Sequence, residues 1–204
     1  MTRSLGRALL LWGWLTSGLA SADEADAHVL AGARAFRAGD WAVALVEFRV
    51  SLKLGAPPSV RWYEGAALAR SGRFEEAVGV FELAFELAPA ERYPLLDYYR
   101  ALACFETRLW GCVVEITGTL ERTGGPRIQQ QVAAMASDAK QLLSGEPPRD
   151  AIDACFVRAR AAASGPLARA WLREAVRLGA RRADRWRVDE ALKDAATARQ
   201  QQAN

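Results

Sequence analysis

The residues able to do chemistry in this chain are few: one histidine and three cysteines among 204 residues. His28 stands alone, with no second metal ligand at a binding spacing, so it reads as a surface or packing residue. The chain has no Gly-x-Ser-x-Gly elbow, P-loop, His-Glu-x-x-His or Cys-x-x-Cys. Adjacent carboxylates such as Glu75-Glu76 fall on an exposed helix face, where solvation is their natural state. The expectation is a protein without catalysis, cofactor or metal. Cys104, Cys112 and Cys155 leave two readings: small buried apolar residues, or one disulfide with a thiol left over. Cys104–Cys112 would staple two neighbouring helices. Cys112–Cys155 would instead tie distant parts together across a Ser-Gly-Glu-Pro-Pro breaker.

The elements that must position these residues are helical. Long β-branched runs and regular alternation are scarce, and half the residues are apolar, which predicts an all-α chain. Two stretches share one pattern, Ala31–Pro57 and Glu64–Pro89. Gly32 matches Gly65, Gly39 matches Gly72, Trp41 matches Phe74, Ala44 matches Ala77, Phe48 matches Phe81 and Ser51 matches Ala84. Each pair is 33 residues apart. A fixed period of this size marks a repeat architecture. Each copy holds two helical patterns broken at a glycine suited to a left-handed helix end. Proline then closes the unit. Neither helix can bury its apolar stripe alone, so the two pack as an antiparallel pair.

These residues resemble the tetratricopeptide repeat, strongly over Pro58–Pro89 and well over Ala25–Pro57. A usual aromatic near the start of the first helix is missing, with His28 and Arg61 in its place. The resemblance implies a right-handed superhelix of helix pairs whose first helices line a concave groove. Carried over, the groove positions are Asp26, Val29, Ala33, Phe36 and Arg37 in the first repeat. They are Ser59, Trp62, Ala66, Ala69 and Arg70 in the second, and Leu95, Tyr98, Leu102, Phe105 and Glu106 in the third. The Lys and Asn clamp of repeats that bind acidic C-terminal tails is absent. The resemblance therefore implies an aromatic and apolar groove, with Phe36, Arg37, Trp62, Arg70, Tyr98, Leu102 and Phe105 as the contacts for a peptide or protein segment.

Reading outward from the repeats, residues 1–22 look like an export signal. Arg3 and Arg7 precede the apolar run Leu9–Leu15, and Ala20-Ser21-Ala22 suits cleavage. The run is shorter than a membrane span, so the expected location is periplasmic or secreted, with no stable membrane span after cleavage. Three repeats follow in residues 23–123 (25–57, 58–89 and 94–123). In the third, Trp110 holds the aromatic position, but Val113, Thr117 and Gly118 weaken the pattern. Its second helix should be the least regular. Residues 124–148 form a long helix and a Pro-rich hinge. Residues 149–204 form a diverged helix pair, with Ala168, Leu172 and Ala175 at the packing positions, and an Arg-rich capping helix over about 183–200.

Charge divides unevenly. Residues 23–148 carry 13 Lys/Arg against 17 Asp/Glu, a net of −4, and residues 149–204 carry 12 against 7, a net of +5. The basic end is either a solvated face with Arg169 and Arg173 near Glu174, or a patch for an anionic partner. No nucleic-acid motif is present. Three functions compete: an interaction scaffold holding a protein or peptide within the cell envelope, a permanent structural subunit of an envelope complex with no free groove, and, least favoured, an enzyme accessory domain or an enzyme with an unrecognised site.

Overall fold

A computed structural model describes residues 6–89, 93–144 and 149–179, with side chains from Ala22 onward. Among the described residues there are nine helices and no strand. They are α1 (Gly6–Ala38), α2 (Trp41–Lys53), α3 (Val60–Arg70), α4 (Phe74–Leu87), α5 (Pro94–Glu106), α6 (Trp110–Thr123), α7 (Pro126–Leu142), α8 (Arg149–Ala161) and α9 (Gly165–Arg177). The expected Pro147-Pro148 hinge and the capping helix over 183–200 lie outside the described residues. The side chains of the expected export segment do so as well. No described helix is long and apolar enough to cross a membrane.

Local chemistry sets the helix boundaries. Asp40 caps α2 by accepting from the Val43 amide at 3.1 Å. Ser164 does the same for α9 through Leu167, and Pro94, Pro126 and Pro166 open α5, α7 and α9, where a missing N–H costs nothing. At the turn between the helices of a pair, Gly39 and Gly72 take φ of 85° and 75°. In the third pair that place is held by Arg108 at φ 62°, the one non-glycine residue in the left-handed region among those described. A side chain there is strained by close approach of Cβ to the backbone.

The pairs pack in layers. α1, α3, α5 and α7 follow one another side by side, and α2, α4 and α6 each fill the gap against two of them. The period-related residues carry this contact: Ala44, Ala77 and Phe48 are wholly buried and Phe81 nearly so. Phe48 and Phe81 lie so close to Gly32 and Gly65 that an added Cβ would stand 2.7 and 2.8 Å from the rings. A third layer is α9, which lies across α4 and α6, with α8 paired to it; α8 makes no close backbone approach to α7. Ala168, Leu172 and Ala175 of α9 are buried.

The expected irregularity of α6 is not found. It is a continuous helix of 14 residues, as long as α4. Gly118 has open space around it, and its propensity cost of about 1 kcal/mol is outweighed by burial of Val113, Ile116, Thr117 and Leu120. Thr117 satisfies its hydroxyl on the Val113 carbonyl. Cys104 and Cys112 form a disulfide across the α5–α6 turn, and Cys155 is a buried free thiol. That thiol is pushed up to about 12 by burial and by the negative charge of Glu174.

Candidate functional site

Two faces of the molecule concentrate polar and aromatic chemistry. The first lies at the α1–α2 turn, where side chains of α1, α2, α3 and α5 converge. Phe36, from α1, meets Trp41 edge-on at 5.0 Å between centroids. It also meets Tyr99 of α5 at 5.9 Å, although α3 runs between α1 and α5. The small residues Ala66 and Ala69 give α3 little bulk, which suits this meeting across it. Arg70, at the end of α3, sets its guanidinium carbon 4.5 Å above the Trp41 ring and 6.0 Å from the Tyr99 ring. Tyr98 extends the cluster through Tyr99 at 5.3 Å.

The seven residues expected to line the groove separate into four groups. Phe36, Arg70 and Tyr98 are brought together by this cluster. Arg37 is exposed and holds its Nε 3.3 Å from the Ala33 carbonyl. Leu102 and Phe105 are half-buried against the core, and Phe105 stacks edge-on with Trp110. Trp62 is placed elsewhere. It is 1% exposed, packs near Phe81 and donates its indole N–H to the Ala88 carbonyl at 3.1 Å. A buried indole needs such an acceptor, so Trp62 is a core residue and offers no surface to a ligand. Sequence reasoning missed Trp41 and Tyr99. Trp41 reads as a packing ring at the start of a helix, and Tyr99 sits beside Tyr98 with nothing to mark it. The available signal was the small Ala66/Ala69 pair between two aromatic-bearing helices.

The second face is the contact of α9 with α4 and α6. Arg169 forks onto Glu86 at 2.7 and 2.9 Å. Arg173 reaches Glu82 at 2.6 Å and Glu86 at 3.4 Å. Arg177 holds Glu115 at 2.6 Å. Glu174, 1% exposed, accepts from the amides of Gly111 and Cys112 at 2.6 and 2.9 Å. These are orphan donors in the first turn of α6, whose own cap position, Leu109, has no side-chain acceptor. Burial pushes the Glu174 carboxyl above the ordinary carboxylate range, against the opposing pull of the two amides and Arg177. Burial raises Glu82 likewise, while Arg173 and Arg100 draw it down. The Arg-rich end is therefore engaged, for these three residues, by acidic partners in α4 and α6. It does not form the expected local pairs of Arg169 and Arg173 with Glu174.

Elsewhere, His28 Nδ1 lies 2.5 Å from Glu47, joining α1 to α2. Among the described residues no three His, Cys, Asp or Glu side chains cluster in a way that could hold a metal ion. No protein-family model, curated protein or solved structure matches this chain.

Proposed function

We propose that this protein is a non-catalytic scaffold that binds a peptide or protein segment on the face formed by its first helices, within the cell envelope. The observation that carries the reading is the cluster of Phe36, Trp41, Tyr99 and Arg70, where rings from α1, α2 and α5 meet beside the exposed guanidinium of α3. Aromatic and Arg side chains of this kind dominate binding hot spots. The repeat architecture is read as a tetratricopeptide-like solenoid. Its support is the sequential packing of α1, α3, α5 and α7 and the burial of Ala44, Ala77, Phe48 and Phe81 at matching positions. The envelope location rests on the export-signal pattern of residues 1–22.

A second reading, a permanent structural subunit, has its own support. Leu30, Val43 and Val46 are exposed on the first repeat. Val46 corresponds by the period to Gly79, which in the second repeat lies against Leu167 of α9. An uncovered apolar face of this sort suits lasting contact with another chain. Affinity capture from envelope fractions on the immobilised full chain separates the readings. A stoichiometric partner that elutes with salt is the expected result. A partner released only by denaturant supports the structural subunit, and no stoichiometric partner in either fraction sinks both.

A further inference from the structure

The surroundings of Arg70 specify what the partner must bring. A guanidinium stacked on aromatic faces uses its π surface and leaves its N–H donors free in the plane. Arg70 is exposed, and no carboxylate among the described residues lies within ion-pair distance of it. Several other arginines differ, although Arg158, 4.7 Å over the Trp171 ring, is likewise without a carboxylate among the described residues. Arg49 and Arg61 reach Glu64, Arg73 reaches Glu76, and those of α9 reach α4 and α6. Arg37, which the period aligns with Arg70, is also exposed and without a carboxylate among the described residues, and its hydrogen bond to the Ala33 carbonyl comes from Nε. The Trp41 ring is half-buried, as is Phe36, so each retains a part open to contact.

On this footing, which rests on the scaffold reading, we infer that the Phe36–Trp41–Tyr99–Arg70 cluster recognises a peptide carboxylate from an Asp or Glu side chain flanked by an apolar residue. The carboxylate pairs with the in-plane donors of Arg70, a geometry suited to two parallel hydrogen bonds. The neighbouring apolar side chain covers the open parts of Phe36 and Trp41. A free anion would use only the donors and leave the rings wet. A peptide of this composition uses both. The stacking that holds the guanidinium in place lowers the ordering cost of binding.

The experiment is selection of a phage-displayed random dodecapeptide library on the full chain, with an unrelated helical protein as control. Enriched sequences are then synthesised and titrated by fluorescence anisotropy against wild type, Arg70→Gln and Arg70→Lys. Arg70 is exposed, and circular dichroism melting verifies that both variants fold. The expected result is a consensus with Asp or Glu next to a large apolar residue. Arg70→Gln should weaken it at least roughly tenfold, as loss of a charge-assisted pair does. Arg70→Lys should also weaken it, because an ammonium lacks the planar fork. Peptides that tolerate Asn or Gln in place of the acid, or that bind Arg70→Gln as tightly as wild type, overturn this inference and leave the scaffold reading standing. A library that yields nothing above the control overturns both.

Discussion

On the α9 side of the molecule, Arg169, Arg173 and Arg177 each end on a carboxylate of the same chain. At the α1–α2 turn, Arg70 ends on the faces of Trp41 and Tyr99. The same side chain is used in two ways. Against α4 and α6 its charge is neutralised inside the fold, and its contribution is to hold a third helical layer in register. At the turn it lies over rings, and its donors meet no carboxylate among the described residues. An arginine whose electrostatic partner is already present supports structure. One that is oriented but unneutralised directs attention to something outside the chain.

The largest test of this contrast concerns rings. Trp62 belongs to the core, so Trp62→Ala should cost about 3–5 kcal/mol, as buried aromatic truncations do. Tyr98 is only half-buried and borders the Arg70 cluster, so Tyr98→Ala should cost clearly less. Urea denaturation of both variants decides the matter. Equal losses would erase the distinction between the core ring and the surface ring.

Next comes the carboxylate that welds α9 to α6. Glu174→Ala orphans two amides in the first turn of α6, which should cost roughly 1–3 kcal/mol. Slower amide exchange at Gly111 and Cys112 than at the first turn of α4 should be lost in the variant. Unchanged protection would mean that α9 does not cap α6.

A graded effect should follow pH. Glu82 and Glu174 both have carboxyls raised by burial. A raised folded pKa contributes stability that is fully present below the ordinary carboxylate value and is lost as pH rises through the folded value. Glu76 is lowered by its bond to Arg73 and works in the opposite direction, losing its contribution as pH falls. Glu82→Gln should therefore remove part of the decline above the ordinary carboxylate value. Thermal melts at a series of pH values for both proteins would show it, and parallel curves would contradict the assignment.

The smallest expected effect lies at the turn between α5 and α6. Arg108→Gly relieves a left-handed side chain but adds freedom to the unfolded chain, for a net gain of about 0.5–1 kcal/mol. A loss on this substitution would show that the Arg108 side chain makes contacts that outweigh its strain.

The period in the sequence exposed α1–α2 and α3–α4 because the approach of Phe48 to Gly32 recurs as that of Phe81 to Gly65. Ala44 and Ala77 could be placed in the core from spacing alone. The third layer could not be seen this way. Arg169 and Glu86 are 83 residues apart, and no repeat relates them. What was legible was the opposite net charge of residues 23–148 and 149–204, a sign that the two could attract one another. Trp62 was misplaced for a different reason. Groove positions carried over from a resemblance assume one helix rotation for every repeat, whereas the indole of Trp62 reaches the Ala88 carbonyl. The meeting of Phe36 and Tyr99 needed knowledge of how closely α1 and α5 approach over α3, which no single helix pattern contains.

The disulfide between Cys104 and Cys112 has a consequence for how the chain matures. The two sulfurs are only 8 residues apart and lie within one helical hairpin. As the chain is made, both are available well before Cys155 has been synthesised, and closing so short a loop requires no other part of the protein. Wherever an oxidant is present, the native pair can therefore form first by order of appearance. Once α8 is in place, the Cys155 thiol, raised to about 12, holds almost no thiolate with which to attack that bond. Order of synthesis protects the pairing early and burial protects it late, so an odd number of cysteines need not lead to scrambled products.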